Sequence, residues 1–135
     1  MQIKELANLT SSISILYIED DKYLKEQNQE LFKNLFKIVD IADNGVDAIK
    51  LYEQNKYELI ITDINIPLLG GINLIKQIKA KEPSQYILVT SVFKEDELKK
   101  ELKDLDTIHY LTKPLETKTL LSEIELIVKN LLTTA

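Results

Sequence analysis

Short apolar runs alternate along this chain with segments whose apolar residues recur every three or four positions, and that alternation leaves few folds open. Five such pairs are counted. Strands are predicted at Ile13–Ile18, Lys37–Ala42, Tyr57–Thr62, Tyr86–Thr90 and Ile108–Leu111. The helical stripes are Leu24, Leu31 and Leu35; Val46, Ile49 and Tyr52; Ile75 and Ile78; then Leu98, Leu102 and Leu105, a thin stripe along and just past the charged segment Lys94–Lys103. A last helix, Glu116–Leu131, carries Leu120, Ile124, Ile127, Val128 and Leu131. Parallel strands need crossovers of a dozen residues or more, so this order predicts an α/β domain: a doubly wound five-stranded parallel sheet with helices on both faces. Residues 1–12 lie outside the alternation as an N-terminal extension, residues 13–132 form the domain, and 133–135 are a short tail.

Composition narrows what such a domain can do. Seventeen basic against twenty-two acidic residues leave a net charge of −5, which disfavours nucleic-acid phosphates as a direct partner. The chain has no cysteine, so disulfides, thiolate metal sites and thiol nucleophiles are excluded, and a reducing, cytoplasmic setting is expected. A single histidine, His109, rules out a multi-histidine metal site; at the edge of the fifth strand it reads as a surface or strand residue and not as a phosphodonor. No apolar run approaches the roughly 18 residues of a membrane span. Tyr17, Tyr23, Tyr52, Tyr57, Tyr86 and Phe36 are expected to be core or half-buried.

In a doubly wound sheet, ligands bind outside the carboxyl ends of the strands. Those ends carry Glu19-Asp20-Asp21, Asp63, Thr90-Ser91 and Lys113-Pro114. Taken singly, each has an ordinary explanation: an Asp after a strand caps a helix, a Thr belongs to the strand, a Lys is solvated. Together they converge. Two carboxylates about 4 Å apart repel by roughly 4 kcal/mol at an effective dielectric of 20, so Asp20 and Asp63 on neighbouring strand ends call for a cation. Mg²⁺ suits them, because it takes a few carboxylate oxygens and keeps positions open for phosphoryl oxygens.

The set Glu19-Asp20, Asp63 followed by Pro67 and Gly71, Thr90, and Tyr110 with Lys113-Pro114 resembles the receiver domain of two-component response regulators, over about Ile13 to Leu131. The resemblance implies a flavodoxin-like sheet of strand order 2-1-3-4-5. It implies that Asp63 accepts a phosphoryl group from a histidine kinase or phosphotransfer protein. Asp20 would bind Mg²⁺ directly, with Asp63 and the backbone carbonyl of Asn65, while Glu19 would act mainly through water. Lys113 would pair with the phosphoryl oxygens, Thr90 would donate its hydroxyl to them, and Tyr110 would serve as an aromatic switch. The readout would then lie on the helix before the fifth strand, that strand and the last helix, for an output domain, a protein target or a second copy. In this family the Lys-Pro bond is often cis.

This chain departs from the usual pattern in two places. Glu19 stands where the family more often has aspartate, one methylene shorter, and Ser91 stands where a small alanine-like residue is commoner. Other readings fit less well. A flavin phosphate would be repelled by Glu19-Asp20-Asp21, and no G-x-x-x-x-G-K run exists for a nucleotide loop. A haloacid-dehalogenase-type phosphatase would need a second Asp two residues after the nucleophile, where this chain has Asn65. The runner-up is a receiver-like module that binds partners without being phosphorylated.

Overall fold

The computed structural model describes residues 3–92, 95–102 and 105–133. Its elements run α1 (Ile3–Thr10), β1 (Ser14–Ile18), α2 (Lys22–Lys33), β2 (Ile38–Ala42), α3 (Gly45–Gln54), β3 (Leu59–Asp63), α4 (Gly71–Lys81), β4 (Tyr86–Ser91), α5 (Glu95–Glu101), β5 (Ile108–Thr112) and α6 (Thr117–Thr133). The sheet is parallel throughout, in the order β2-β1-β3-β4-β5. Strands β3 and β4 each extend one residue beyond their sequence-predicted ends, because Asp63 pairs with Thr90 and Ser91 with Thr112 in the ladder.

Strand residues alternate between two cores, as a pleated sheet covered on both sides requires. Leu16, Ile18, Ile60, Ile87 and Val89 face one side and meet Ala48 of α3, Leu74, Ile75 and Ile78 of α4, and Leu98 of α5. Ile15, Tyr17, Leu59, Ile61 and Leu88 face the other, against Leu6 of α1, Phe32 of α2, and Leu120, Ile124, Ile127 and Val128 of α6. Helix α1 thus shares the second core, although it precedes the βα alternation.

Several packing expectations are corrected. Tyr23 is 68% exposed, since the first turn of α2 turns it to solvent, where its hydroxyl accepts from Gln27 Nε2 at 2.9 Å. The fully buried residue of α2 is Phe32, one position after the expected Leu31; it meets Tyr17 and Phe36 edge-on, with ring centroids 5.1 and 5.9 Å apart. In α3 the buried positions are Gly45 and Ala48, and Val46 is exposed. Glycine is needed at 45: a Cβ there would lie 2.5 Å from Leu68 O and 2.8 Å from Leu69 Cβ, so the loop after β3 rests directly on the start of α3. Of the charged Lys94–Lys103 segment, Lys94 and Lys103 lie outside the described residues.

Away from the strand carboxyl ends, Lys79 is a buried cation. Its Nζ donates to the carbonyls of Pro83 (3.0 Å), Gln85 (2.6 Å) and Asp106 and to Thr107 Oγ1, tying the turn after α4 to the start of β5. Burial holds its pKa below the ordinary lysine value, partly offset by Asp106 and Glu82. Among the described residues no helix is long and apolar enough to cross a membrane.

Candidate functional site

Two adjacent strands deliver the acidic groups to one point. Chain continuity places Glu19 and Asp20 directly after β1, while Asp63 closes β3, the neighbouring strand. A carboxylate oxygen from each of Glu19, Asp20 and Asp63 lies within 4.8 Å of the others. Glu19 and Asp63 are buried and Asp20 is exposed, so the cluster opens to solvent on the Asp20 side. Asp21 serves the helix instead, since its Oδ1 accepts from Leu24 N at 3.1 Å and caps α2. The clustered acids are therefore Glu19, Asp20 and Asp63, with Asp21 turned to the helix.

Lys113 reaches the same point from the end of β5. Its Nζ donates to Asp63 Oδ2 and to Glu19 Oε1, both at 2.9 Å. The backbone behind it is held by a 2.7 Å hydrogen bond from Lys113 N to Ser91 O, and the Lys113-Pro114 peptide is cis. Burial pushes the Glu19 carboxyl above its ordinary range, against the pull of Lys113. Burial also works to lower the Lys113 ammonium, but hydrogen bonds and charge from Asp63 and Glu19 outweigh it and leave that pKa raised. Tyr17, two residues before Glu19, is buried and held protonated, and its hydroxyl accepts from Asn28 Nδ2 at 2.9 Å.

The remaining predicted residues lie on β4, β5 and the loop after β3. Thr90 is the register partner of Asp63 on β4, 2% exposed, and its carbonyl accepts from Ile64 N at 3.0 Å. Asn65 is exposed, and its backbone N–H donates to Asp63 Oδ1 at 3.3 Å. Tyr110 lies opposite Val89 on β5 and packs half-buried against the core shared with α3, α4 and α5. His109 sits in the strand as expected, with Nδ1 2.9 Å from Glu123 Oε1 and its ring stacked on Tyr86. The direct contact between Glu19 and Lys113 is not legible in the sequence, where the two stand 94 positions apart.

Three carboxylates and one ammonium leave two negative charges uncompensated among oxygen donors. That donor set fits a hard divalent cation such as Mg²⁺.

The family model described as response regulator receiver domain matches residues 15–125. A chemotaxis protein CheY of Halobacterium salinarum is 29% identical over 111 residues, covering 82% of this chain and 92% of that protein. The regulatory protein VanRB of Enterococcus faecalis is 27% identical over 118 residues, 87% of this chain but 53% of its own length. Among solved structures, the N-terminal domain of an uncharacterized protein from Wolinella succinogenes superposes with a TM-score of 0.81 at 30% identity, covering 92% of this chain and all of that one. A chemotaxis response regulator of Vibrio cholerae shares the fold at 22% identity, with a TM-score of 0.76 over 87% of this chain and 99% of its own.

Proposed function

The chain belongs to the response regulator receiver family, and from that premise we propose that Asp63 is its phosphoacceptor, loaded by a histidine kinase or phosphotransfer protein. The observation that carries this reading is the Lys113 ammonium held 2.9 Å from Asp63 Oδ2 beside two further carboxylates, at the carboxyl edge of the sheet. An Asp63 oxygen attacks the phosphorus, the bond from phosphorus to the donor's nitrogen or oxygen breaks, and the electron pair leaves with the donor. Asp20, Asp63 and the Asn65 carbonyl are the groups assigned to Mg²⁺, which supplies neutralisation of the phosphoryl charge. Lys113 takes up phosphoryl oxygens, and the neighbouring Thr90 hydroxyl turns to them. That movement beside β5 repositions Tyr110, so the readout falls on α5, β5 and α6, facing an output domain, a target protein or a second copy. Such a chain is a signalling phosphoacceptor of the cytoplasm and not a turnover enzyme. The competing reading, partner binding without phosphorylation, leaves the convergence of Asp20, Asp63 and Lys113 without a purpose.

Acetyl phosphate with Mg²⁺ tests the assignment. Wild type is expected to take up one phosphoryl group per chain and Asp63→Asn none, read by intact mass. Uptake by Asp63→Asn on the wild-type timescale overturns it.

The same cluster predicts a metal-dependent stability. Mg²⁺ at about 100 times its dissociation constant is expected to add roughly 2.7 kcal/mol by mass action. Asp20→Asn should relieve repulsion in the metal-free protein and lose most of that gain. Equal metal-induced shifts in Tm for wild type and variant would remove Asp20 from the ligand set.

A further inference from the structure

Helix α1 precedes the segment that matches the receiver family, which begins at residue 15, yet it packs against the last helix of the domain. Leu6 enters the core shared with Ile124, Ile127 and Val128 of α6. The other end of α1 is tied elsewhere. Thr10, fully buried, donates its hydroxyl to Leu35 O beyond the end of α2, and Ile13 N donates to Thr10 O at 3.0 Å, with residues 11–13 alone joining α1 to β1. Helix α6 is also held by β5, because His109 Nδ1, on the residue before Tyr110, lies 2.9 Å from Glu123 Oε1. We propose that α1 is an autoinhibitory latch that holds α6 in its unphosphorylated position and is released when Asp63 is phosphorylated. The inference rests on Asp63 being the phosphoacceptor and on α6 forming part of the readout surface.

A helix tied to Leu35 O and to β1 cannot travel with α6. Leu35 is itself fixed, since Leu35 N donates to Phe32 O at 3.0 Å and the chain then passes into β2 with Lys37 N on Ile13 O at 2.9 Å. A shift of β5 at Tyr110 reaches α6 through the His109–Glu123 contact, and any movement of α6 then opens the seam at Leu6. That seam is thin. Leu6 is the buried apolar side chain of α1, with Ala7 and Leu9 half-buried, while Ile3, Lys4 and Glu5 are exposed. A cavity of about 120 Å³ runs along the junction, lined by Ile3 and Leu6 on α1 and by Leu121 and Glu125 on α6. So few anchors bias α6 without locking it. Eight residues keep no helix of their own in water, so leaving α6 also unwinds α1. Linkage makes the effect reciprocal: by whatever factor docked α1 disfavours the phosphorylated arrangement, phosphorylation disfavours docking.

Beryllofluoride with Mg²⁺, a phosphoryl mimic that binds reversibly, tests both directions. In the wild-type chain, amide exchange across residues 6–10 is expected to speed up by at least about tenfold when the mimic is bound. Thr10→Val keeps the side-chain shape and removes the donor to Leu35 O, a loss on the scale of one buried hydrogen bond. It should lower the urea midpoint and yet tighten beryllofluoride binding about tenfold, because the docked state is weakened and the released state is not. Ile3→Ala, at an exposed position of the same helix, should leave the affinity within about twofold of wild type. A helix with a purely structural role gives a destabilised variant whose affinity is unchanged or weaker. Exchange in α1 that does not respond to the mimic, or a Thr10→Val affinity no tighter than wild type, overturns the latch. Equal binding of beryllofluoride by wild type and Asp63→Asn instead overturns the phosphoacceptor reading, and the latch falls with it.

Discussion

Replacing Gly71 by alanine is expected to cost about 3 kcal/mol of stability and to slow phosphoryl uptake at Asp63, the upper range for overpacking against a fixed neighbour. A Cβ on Gly71 would lie 2.6 Å from Ile64 Cα, 2.7 Å from Ile64 O and 2.8 Å from Asp63 O. These are backbone atoms and cannot swing aside. Nor can the strand retreat, since Asp63 closes a strand flanked by β1 and β4, Ile64 N donates to Thr90 O, and Gly71 N itself donates to Ile64 O at 3.0 Å. Any relaxation therefore moves Asp63 against Lys113. Gly70 isolates backbone strain: a Cβ there meets nothing within 4 Å, but its φ of +55° with ψ of 152° is a conformation that glycine adopts, so alanine is strained by about 1–3 kcal/mol. The measurement is the urea midpoint of both variants beside their acetyl phosphate rates. A Gly71→Ala midpoint and uptake rate equal to wild type would show that the close approach is not a constraint.

That glycine illustrates which parts of the molecule are legible in the sequence. Strand positions are legible because a strand covered on both faces needs an unbroken apolar run, as in Leu59–Ile61, and the residues just past each run then have to share one edge. Gly71 is readable as part of a turn, but the backbone atoms it must admit are contributed by Asp63 and Ile64 and depend on how the loop folds back. Helical stripes are less sharply defined. A stripe fixes a face only to within one residue in 3.6, so Phe32 is the fully buried residue of α2 with Leu31 packed half-buried beside it, and Val46 lies outward beside Gly45 and Ala48. Tyr23 departs from its expected burial because a tyrosine in a first turn can be wet at no great cost. For Glu19 the family resemblance implies a water-mediated metal role, and its contact with Lys113, 94 positions away, becomes visible only in the fold.

Helix α1 is the element with the weakest sequence signal, and its anchor is expected to carry a large share of local stability: Leu6→Ala should cost about 3 kcal/mol. Eight residues are too few to hold a helix in water alone, so α1 exists only as docked. The docking is specific. Leu6 is 3% exposed and enters the core built by Phe32, Leu35, Ile124, Ile127 and Val128, while Thr10, fully buried, donates its hydroxyl to Leu35 O and to Leu6 O. Ile13 N then donates to Thr10 O at 3.0 Å, so the turn leading into β1 is set from the same helix end. Removing three carbons from Leu6 leaves a cavity lined by residues of α2 and α6, and those helices are fixed to the sheet and cannot collapse into it. Undocking α1 instead would leave Thr10 and the Leu35 carbonyl to water and uncover part of the second core. Ile3, on the same helix but 54% exposed, is the control, and Ile3→Ala should stay within about 0.5 kcal/mol of wild type. Urea midpoints and amide exchange across residues 3–10 read both variants, and a Leu6→Ala no more costly than Ile3→Ala would mean that α1 merely rests on the domain.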